Sequence, residues 1–496
     1  MAASSVTRQT VPLLWGGAVT AVIVVAHAPS FFHRLLDGDE AIYGSIAALM
    51  NGGGALYASG GVDNKPPGIF WVYAATFHVA GTYQMTAIHA VALVVLLATC
   101  LILFLIGRSL GSLRAGLLSA LIYGILTGAG NPRLLAANTE LFMMLPLAAS
   151  ILLMLRRRWL WSGALLVAAG TFRQSAAINL VLVPVAIILL ESSADRLRAA
   201  WLVAAGLAGA LAAGAVLLAL TGSLAGFWVW TIGSLYGYAA GNWTPAFVLM
   251  RARDSVLPFV LSMAVVWVAA VAFAWHWKRL PAAVQVIVAW LVVSVPGSLA
   301  GGHLSWHYFI QVMGPLAVLA ALGIDKALNT PRQRWVAGAA IVGLAAPMIG
   351  WGWFDVVSDP LTYDFSPPVP QHQAVAAFID SHTTQRDRVF VWGNWPALYV
   401  ESDRTMATRF PGFLRGFARG SNLPPNNWDT TAEVWPELKA DLTRNPPALI
   451  IDTAAAGWSD FSMYPMSNYP VLADFVATRY HVVATVDEVV VYAPNN

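Results

Sequence analysis

The sequence predicts a mainly α-helical, polytopic transmembrane bundle of about eleven crossings, followed by a C-terminal extracytoplasmic α/β domain. Three observations predict it. Of 496 residues, 58% are hydrophobic and 11% charged, with a mean hydropathy of +0.64, whereas soluble domains carry about 25% charged residues; a soluble enzyme is excluded. The charges are also unevenly placed. Residues 1–352 hold 19 Lys+Arg and 9 Asp+Glu, a balance of +10, while residues 353–496 hold 9 and 16, a balance of −7. Finally, apolar runs able to cross about 30 Å of hydrocarbon as helices of roughly 20 residues recur through the first part.

These runs fall near 11–29, 85–107, 113–130, 139–155, 159–172, 175–190, 199–220, 254–275, 282–300, 307–324 and 334–352. The first has no small-residue cleavage site of secretory form, so it reads as an anchor. With a cytoplasmic N-terminus, thirteen Lys and Arg fall in inner loops and six (Arg34, Lys65, Arg133, Arg173, Arg251 and Arg253) in outer ones, the positive-inside bias. An odd number of crossings then leaves the acidic tail outside. The pI near 9.0 reflects this topology; the basic residues form no patch, and no nucleic-acid partner is expected. Cys100 is the single cysteine, so an intrachain disulfide is excluded and an inert packing role expected.

The tail, 353–496, reads as a small α/β domain. Helix-like stretches at 371–382 and 431–444 alternate with β-branched runs at 388–392, 448–452, 481–486 and 489–493. Residues 410–428, rich in Gly, Pro and Asn, read as a long loop.

Ionisable groups at membrane depth are costly, so those that remain tend to be functional. In this topology they gather on the outer side. The first outer segment, 30–84, carries DGDEAIY (37–43) and NKPPG (64–68). Asp37, Asp39 and Glu40 place three carboxylates within four residues, which repel one another unless one is protonated or paired. Such a group suits a general base, or else Asp39 and Glu40 serve the N-terminus of the helix that follows. Pro66 and Pro67 hold Lys65 extended at the head of the next apolar helix, where its ammonium either meets a lipid phosphate or snorkels. Arg173, between two apolar runs, is placed to hold a phosphate with Gln174 beside it. Glu140 either belongs to the site or pairs with Arg133 across a short loop. His303 and His307 are four apart, a metal-ligand spacing if one helix carries both, with Glu140, Asp63 or Asp37 as third ligand. Interfacial aromatic packing with Trp306 and Tyr308, or phosphate contact by His307 and Tyr308, are the other readings.

A DE pair followed by Tyr43 in the first outer loop, then KPP at 65–67, resembles the GT-C membrane glycosyltransferases of the protein O-mannosyltransferase and aminoarabinose transferase type. NTELFMMLP (138–146), TFRQSA (171–176) and HYFIQVMGPLAVLAALG (307–323) are supporting matches, so that the resemblance spans most of 30–324. It implies an inverting hexosyl- or pentosyltransferase of the bacterial inner membrane. Such an enzyme takes one sugar from a polyprenyl-phosphate donor and gives it to a lipid, glycan or protein acceptor. Carried over by position, Asp39 is the base, Glu40 its neighbour, Lys65 a phosphate ligand, Arg173 the turn cation, and Tyr308 part of the segment near the phosphate. Two positions depart from the aminoarabinose pattern. Asn64 stands where a metal-holding Glu precedes the lysine, and Ile42 where an Arg precedes the tyrosine, so a divalent metal ion is left open. A polytopic transporter or lipid flippase is the rival class, although no repeat relates residues 1–175 to 176–352. A membrane assembly protein is a further alternative, one that leaves the DE and KPP pair unexplained.

Overall fold

The structure is a computed structural model. It describes all residues except 1–2, 129–130, 234–243, 332, 336–337, 340, 344–345, 347–348, 351–352, 354–371, 413–433, 459–461, 463 and 496. The chain divides into two compact units, Met1–Phe32 with His89–Gly214 and Val248–Ser358, and His33–Ile88 with Ala215–Phe247 and Asp359–Asn496.

The first unit is helical. Its core lies on Ile310–Leu328, part of the span Trp306–Leu328 whose apolar window is 94% buried; helices Leu113–Leu126, Thr139–Leu155, Ala264–Ala274 and Ala282–Leu299 pack around it. Close approach is built in at Gly314, where a Cβ would stand 2.6 Å from Met144 Cε. One end is tied by polar contacts: the Arg114 Nε donates to Asp325 Oδ1 at 2.5 Å, and the Ser112 hydroxyl donates to Asp325 Oδ2 at 2.8 Å. By contrast, Arg196–Leu220 has only 17% of its window buried and exposes Trp201, Leu211 and Val216, the surface expected of a helix that meets lipid.

Among the described residues, five helices are long and apolar enough to cross a membrane. The count rises to six if Pro245–Ser262 and Ala264–Ala274, bent by 69°, form one span. The expectation of eleven crossings is therefore not established, because six apolar helices are only 10–17 residues long. The described parts of the eleventh run, 334–352, are helical.

The second unit holds a five-stranded sheet: β1 (Arg388–Trp392), β2 (Thr405–Met406), β3 (Leu449–Asp452), β4 (Tyr480–Val486) and β5 (Val489–Pro494), in the order β2-β1-β3-β5-β4. β1 pairs in parallel with β2 and β3, while β5 is antiparallel to β3 and β4. β3 is buried throughout and β1 nearly so, as parallel strands covered on both faces are. Asp487 and Glu488 both have positive φ, 48° and 67°, giving the tight hairpin whose twist matches the flanking strands. Helices His372–His382, Val434–Arg444 and Pro470–Arg479 complete this part. The α/β pattern expected of the tail is found within two residues at each described boundary, and 413–428 of the expected loop lie outside the described residues.

Candidate active site

The site residues picked out from sequence are carried by both compact units. In the second unit, helix Gly38–Asn51 starts at Asp37. This residue is extended (φ −151°, ψ 148°), and its Oδ1 accepts the Asp39 N–H at 3.3 Å. Glu40, fully buried, accepts the Leu36 N–H at 2.8 Å, closing the turn from its other side much as a capping box does. Both of these carboxylates thus hold backbone. Half-buried Asp39 instead accepts a hydrogen bond on Oδ2 from the Tyr43 hydroxyl, one helical turn on, at 3.3 Å. The Tyr43 ring is buried edge-on against Phe70 and Tyr73, with 5.7 Å between centroids.

Lys65 is held through its backbone. Its N–H donates to Asp63 Oδ1 at 2.8 Å, and its carbonyl accepts from the Tyr57 hydroxyl at 2.7 Å and the Thr231 hydroxyl at 3.3 Å. Burial pushes the Asp63 carboxyl up to about 6, with Lys65 and its amide opposing and the Asp39 charge adding to the rise. Burial likewise raises the Tyr57 phenol, which stays protonated as a donor. Tyr57 has φ +62°, a conformation that a bulky side chain adopts only under constraint. Gly226 supplies part of it, since a Cβ there would stand 2.3 Å from the Tyr57 carbonyl oxygen. Pro67 then opens helix Gly68–Ala80 at φ −70°.

In the first unit, Glu140 lies in the first turn of Thr139–Leu155 and is 1% exposed. It accepts from Arg173 Nη1 and, at 2.8 Å, from the Thr139 hydroxyl. This corrects the reading that paired Glu140 with Arg133. Arg133 Nη1 instead donates to the Ser305 hydroxyl at 3.2 Å, where Arg251 Nη2 also points at 3.4 Å. Arg173 caps the 3-10 helix Gln174–Val181 and places its guanidinium carbon 3.8 Å from the centroid of the Tyr308 ring. His307 Nε2 stands 3.8 Å from Glu140 Oε1. Gln174 follows directly, half-buried, and Ser175 donates to Gln311 Oε1 at 3.4 Å.

His303 and His307 do not share a helix face, because the helical turn begins only at Trp306 and Leu304 between them has φ +50°. His303 presents its carbonyl to Arg251 Nε at 2.7 Å. Sequence reasoning passed over Tyr57, Thr231 and Ser305. Nothing local marks them, since each acts on a backbone or guanidinium group brought to it by the fold.

These residues include a carboxylate that accepts from a tyrosine hydroxyl, Asp39, and the cations Lys65 and Arg173, which are the kinds of group that transfer from a phosphate ester uses. The fold is that of the GT-C membrane glycosyltransferases. ArnT from Cupriavidus metallidurans bound to undecaprenyl phosphate superposes with a TM-score of 0.61 at 14% identity, covering 97% of this chain and 98% of that one. The Archaeoglobus fulgidus oligosaccharyltransferase tethered to an acceptor peptide with the NVT sequon gives 0.55 at 12% identity, over 96% and 74%. Another structure of that archaeal enzyme is a complex with Zn and sulfate. No family model and no curated protein sequence matches the chain.

Proposed function

We propose that the chain is an integral membrane glycosyltransferase. It moves one hexosyl or pentosyl unit from a polyprenyl-phosphate donor to a lipid, glycan or protein acceptor, with inversion, on the extracytoplasmic face of the bacterial inner membrane. Residues 1–352, with the loop 30–84, carry the reaction, and 353–496 form the extracytoplasmic domain. The observation that carries this reading is the division of labour at the head of Gly38–Asn51. Asp37 and Glu40 accept backbone amides, while Asp39 is oriented by the Tyr43 hydroxyl.

In the proposed step the acceptor oxygen or nitrogen attacks the anomeric carbon from the face opposite the phosphate. A new glycosidic bond forms, the bond to the phosphate oxygen breaks, the acceptor proton passes to Asp39, and polyprenyl phosphate leaves. Lys65 and Arg173 are the cations proposed to hold that phosphate and the charge it gains. The likeness to ArnT bound to undecaprenyl phosphate supports the donor class.

The test uses purified protein in vesicles supplied with a polyprenyl-phosphate sugar and an extract of candidate acceptors. Asp39→Asn is expected to lower transfer about a hundredfold or more while leaving folding and donor binding intact. Full activity in that variant overturns the role of Asp39, and translocation of the donor without turnover by the unaltered protein favours a transporter.

A further inference from the structure

One end of the five-stranded sheet opens into a cleft of about 560 Å³. Its walls are the start of β1, the turn Asn445–Ala448 ahead of β3, the junction between helix Pro470–Arg479 and β4, and the end of β5. Arg386, Arg388 and Arg479 all line it, beside Phe475 and Tyr480. Residues 353–496 carry a balance of −7, so abundant carboxylates are at hand to neutralise these cations. Among the described residues, however, none of the three guanidiniums has a carboxylate within 4.0 Å.

Asp387, the one acid lining the cleft among the described residues, accepts from the Thr384 N–H at 2.7 Å and the Thr384 hydroxyl at 2.9 Å, bonds that hold its carboxyl below the usual range and so ionised. The walls are firm. The Tyr480 hydroxyl donates to the Pro447 carbonyl at 2.9 Å, and the Arg479 guanidinium lies 5.0 Å from the centroid of the Phe475 ring. Three guanidiniums against the single Asp387 carboxylate leave the cleft net positive, and an anion relieves it.

We propose that this cleft is a binding site for a phosphate monoester borne on a glycan or a lipid headgroup. Guanidinium forks match phosphate oxygens in geometry and charge, and the Phe475, Tyr480 and Pro447 wall offers an apolar face to the remainder of the ligand. A dianionic group fits three cations better than a single carboxylate does. The site is separate from the transfer chemistry proposed above and does not rest on it.

The experiment uses the full chain in nanodiscs of neutral phosphatidylcholine, with phosphorus and proton NMR reporting binding of inorganic phosphate, glucose 6-phosphate and glucose. Both phosphates are expected to bind and glucose is not. In Arg386→Ala/Arg479→Ala, both positions being exposed, affinity is expected to fall about tenfold or more through lost charge-assisted hydrogen bonds, with the thermal unfolding profile unchanged. Adding phosphatidic acid, whose headgroup is a phosphate monoester, to the discs separates the sources: displacement of glucose 6-phosphate assigns the site to a headgroup, and retention assigns it to a phosphorylated glycan. Failure of both phosphates to bind, or equal binding by the double variant, overturns the proposal.

Discussion

Arg173 and Tyr308, 135 positions apart in sequence, meet face to face, with the guanidinium carbon 3.8 Å from the centroid of the tyrosine ring. The same guanidinium donates to Glu140, so one planar cation is held from its face by an aromatic ring and from its edge by a carboxylate. Such contacts contribute about 0.5–2 kcal/mol, and here they fix the plane in which any further acceptor must lie.

Breaking that arrangement from either side should be costly. Arg173 is 9% and Glu140 1% exposed, and removing one partner of a buried pair costs about 3–5 kcal/mol by stranding the other charge. Glu140→Gln and Arg173→Gln are each expected to lower the apparent unfolding temperature in detergent, while the double variant loses less than the sum. Strictly additive losses show that the two side chains are not coupled.

Tyr43 is expected to act on orientation. Tyr43→Phe keeps the ring packing on Phe70 and Tyr73 and removes the hydroxyl that donates to Asp39. Transfer activity should fall about tenfold or more, through kcat and not KM, since a hydrogen bond to a charged group is worth about 1.5–3 kcal/mol. An unchanged kcat would mean that Asp39 needs no such partner.

Asp63 predicts a pH dependence of stability. Its folded carboxyl titrates near 6, above its ordinary value of 3.8. Between those values the folded state binds more protons than the unfolded one, so the contribution is present at low pH and lost as pH rises through about 6. A shift of this size corresponds to about 3 kcal/mol. Asp63→Asn, which keeps an acceptor for the Lys65 N–H, should be more stable at neutral pH and flatten the slope between about pH 4 and 6. Part of the slope should persist, because burial also raises Asp452 to about 6. Equal slopes in variant and parent would show that Asp63 does not titrate in this range.

Lys65 and its support predict a graded loss. Lys65→Ala should weaken binding of the polyprenyl-phosphate donor about tenfold or more. Gly226→Ala forces apart the Tyr57 backbone that it abuts and should give a smaller loss of the same kind by loosening the Lys65 carbonyl. Binding measured on purified protein checks both. Unaltered affinity in Lys65→Ala removes this residue from the phosphate site.

Where a feature depended on neighbours in sequence, it could be read without the structure. β-branched runs gave four strands of the tail within two residues, and the acids at 37–40 sat at a helix start as their type favours. The span count could not be read so far, because an apolar run does not say whether it continues unbroken for a bilayer's thickness; the bend of 69° at Met263 breaks one such run. Ion pairing was illegible for a related reason. Arg133 is nearer to Glu140 along the chain, but the turn before Gln174–Val181 delivers Arg173 to it. The hydroxyls of Tyr57 and Thr231 show no pattern at all, and only their convergence on one carbonyl identifies them.

The hydrogen bonds that shape the turn around Asp39 each link residues at most four positions apart. These bonds are local, while the Tyr43 ring that donates one of them is held from outside the turn by Phe70 and Tyr73. The eight residues 36–43 thus set the start of the helix, and the helix Gly68–Ala80 sets the ring against which Asp39 is aimed. A change at Phe70 or Tyr73, about thirty positions along the chain, is thereby felt at the head of Gly38–Asn51.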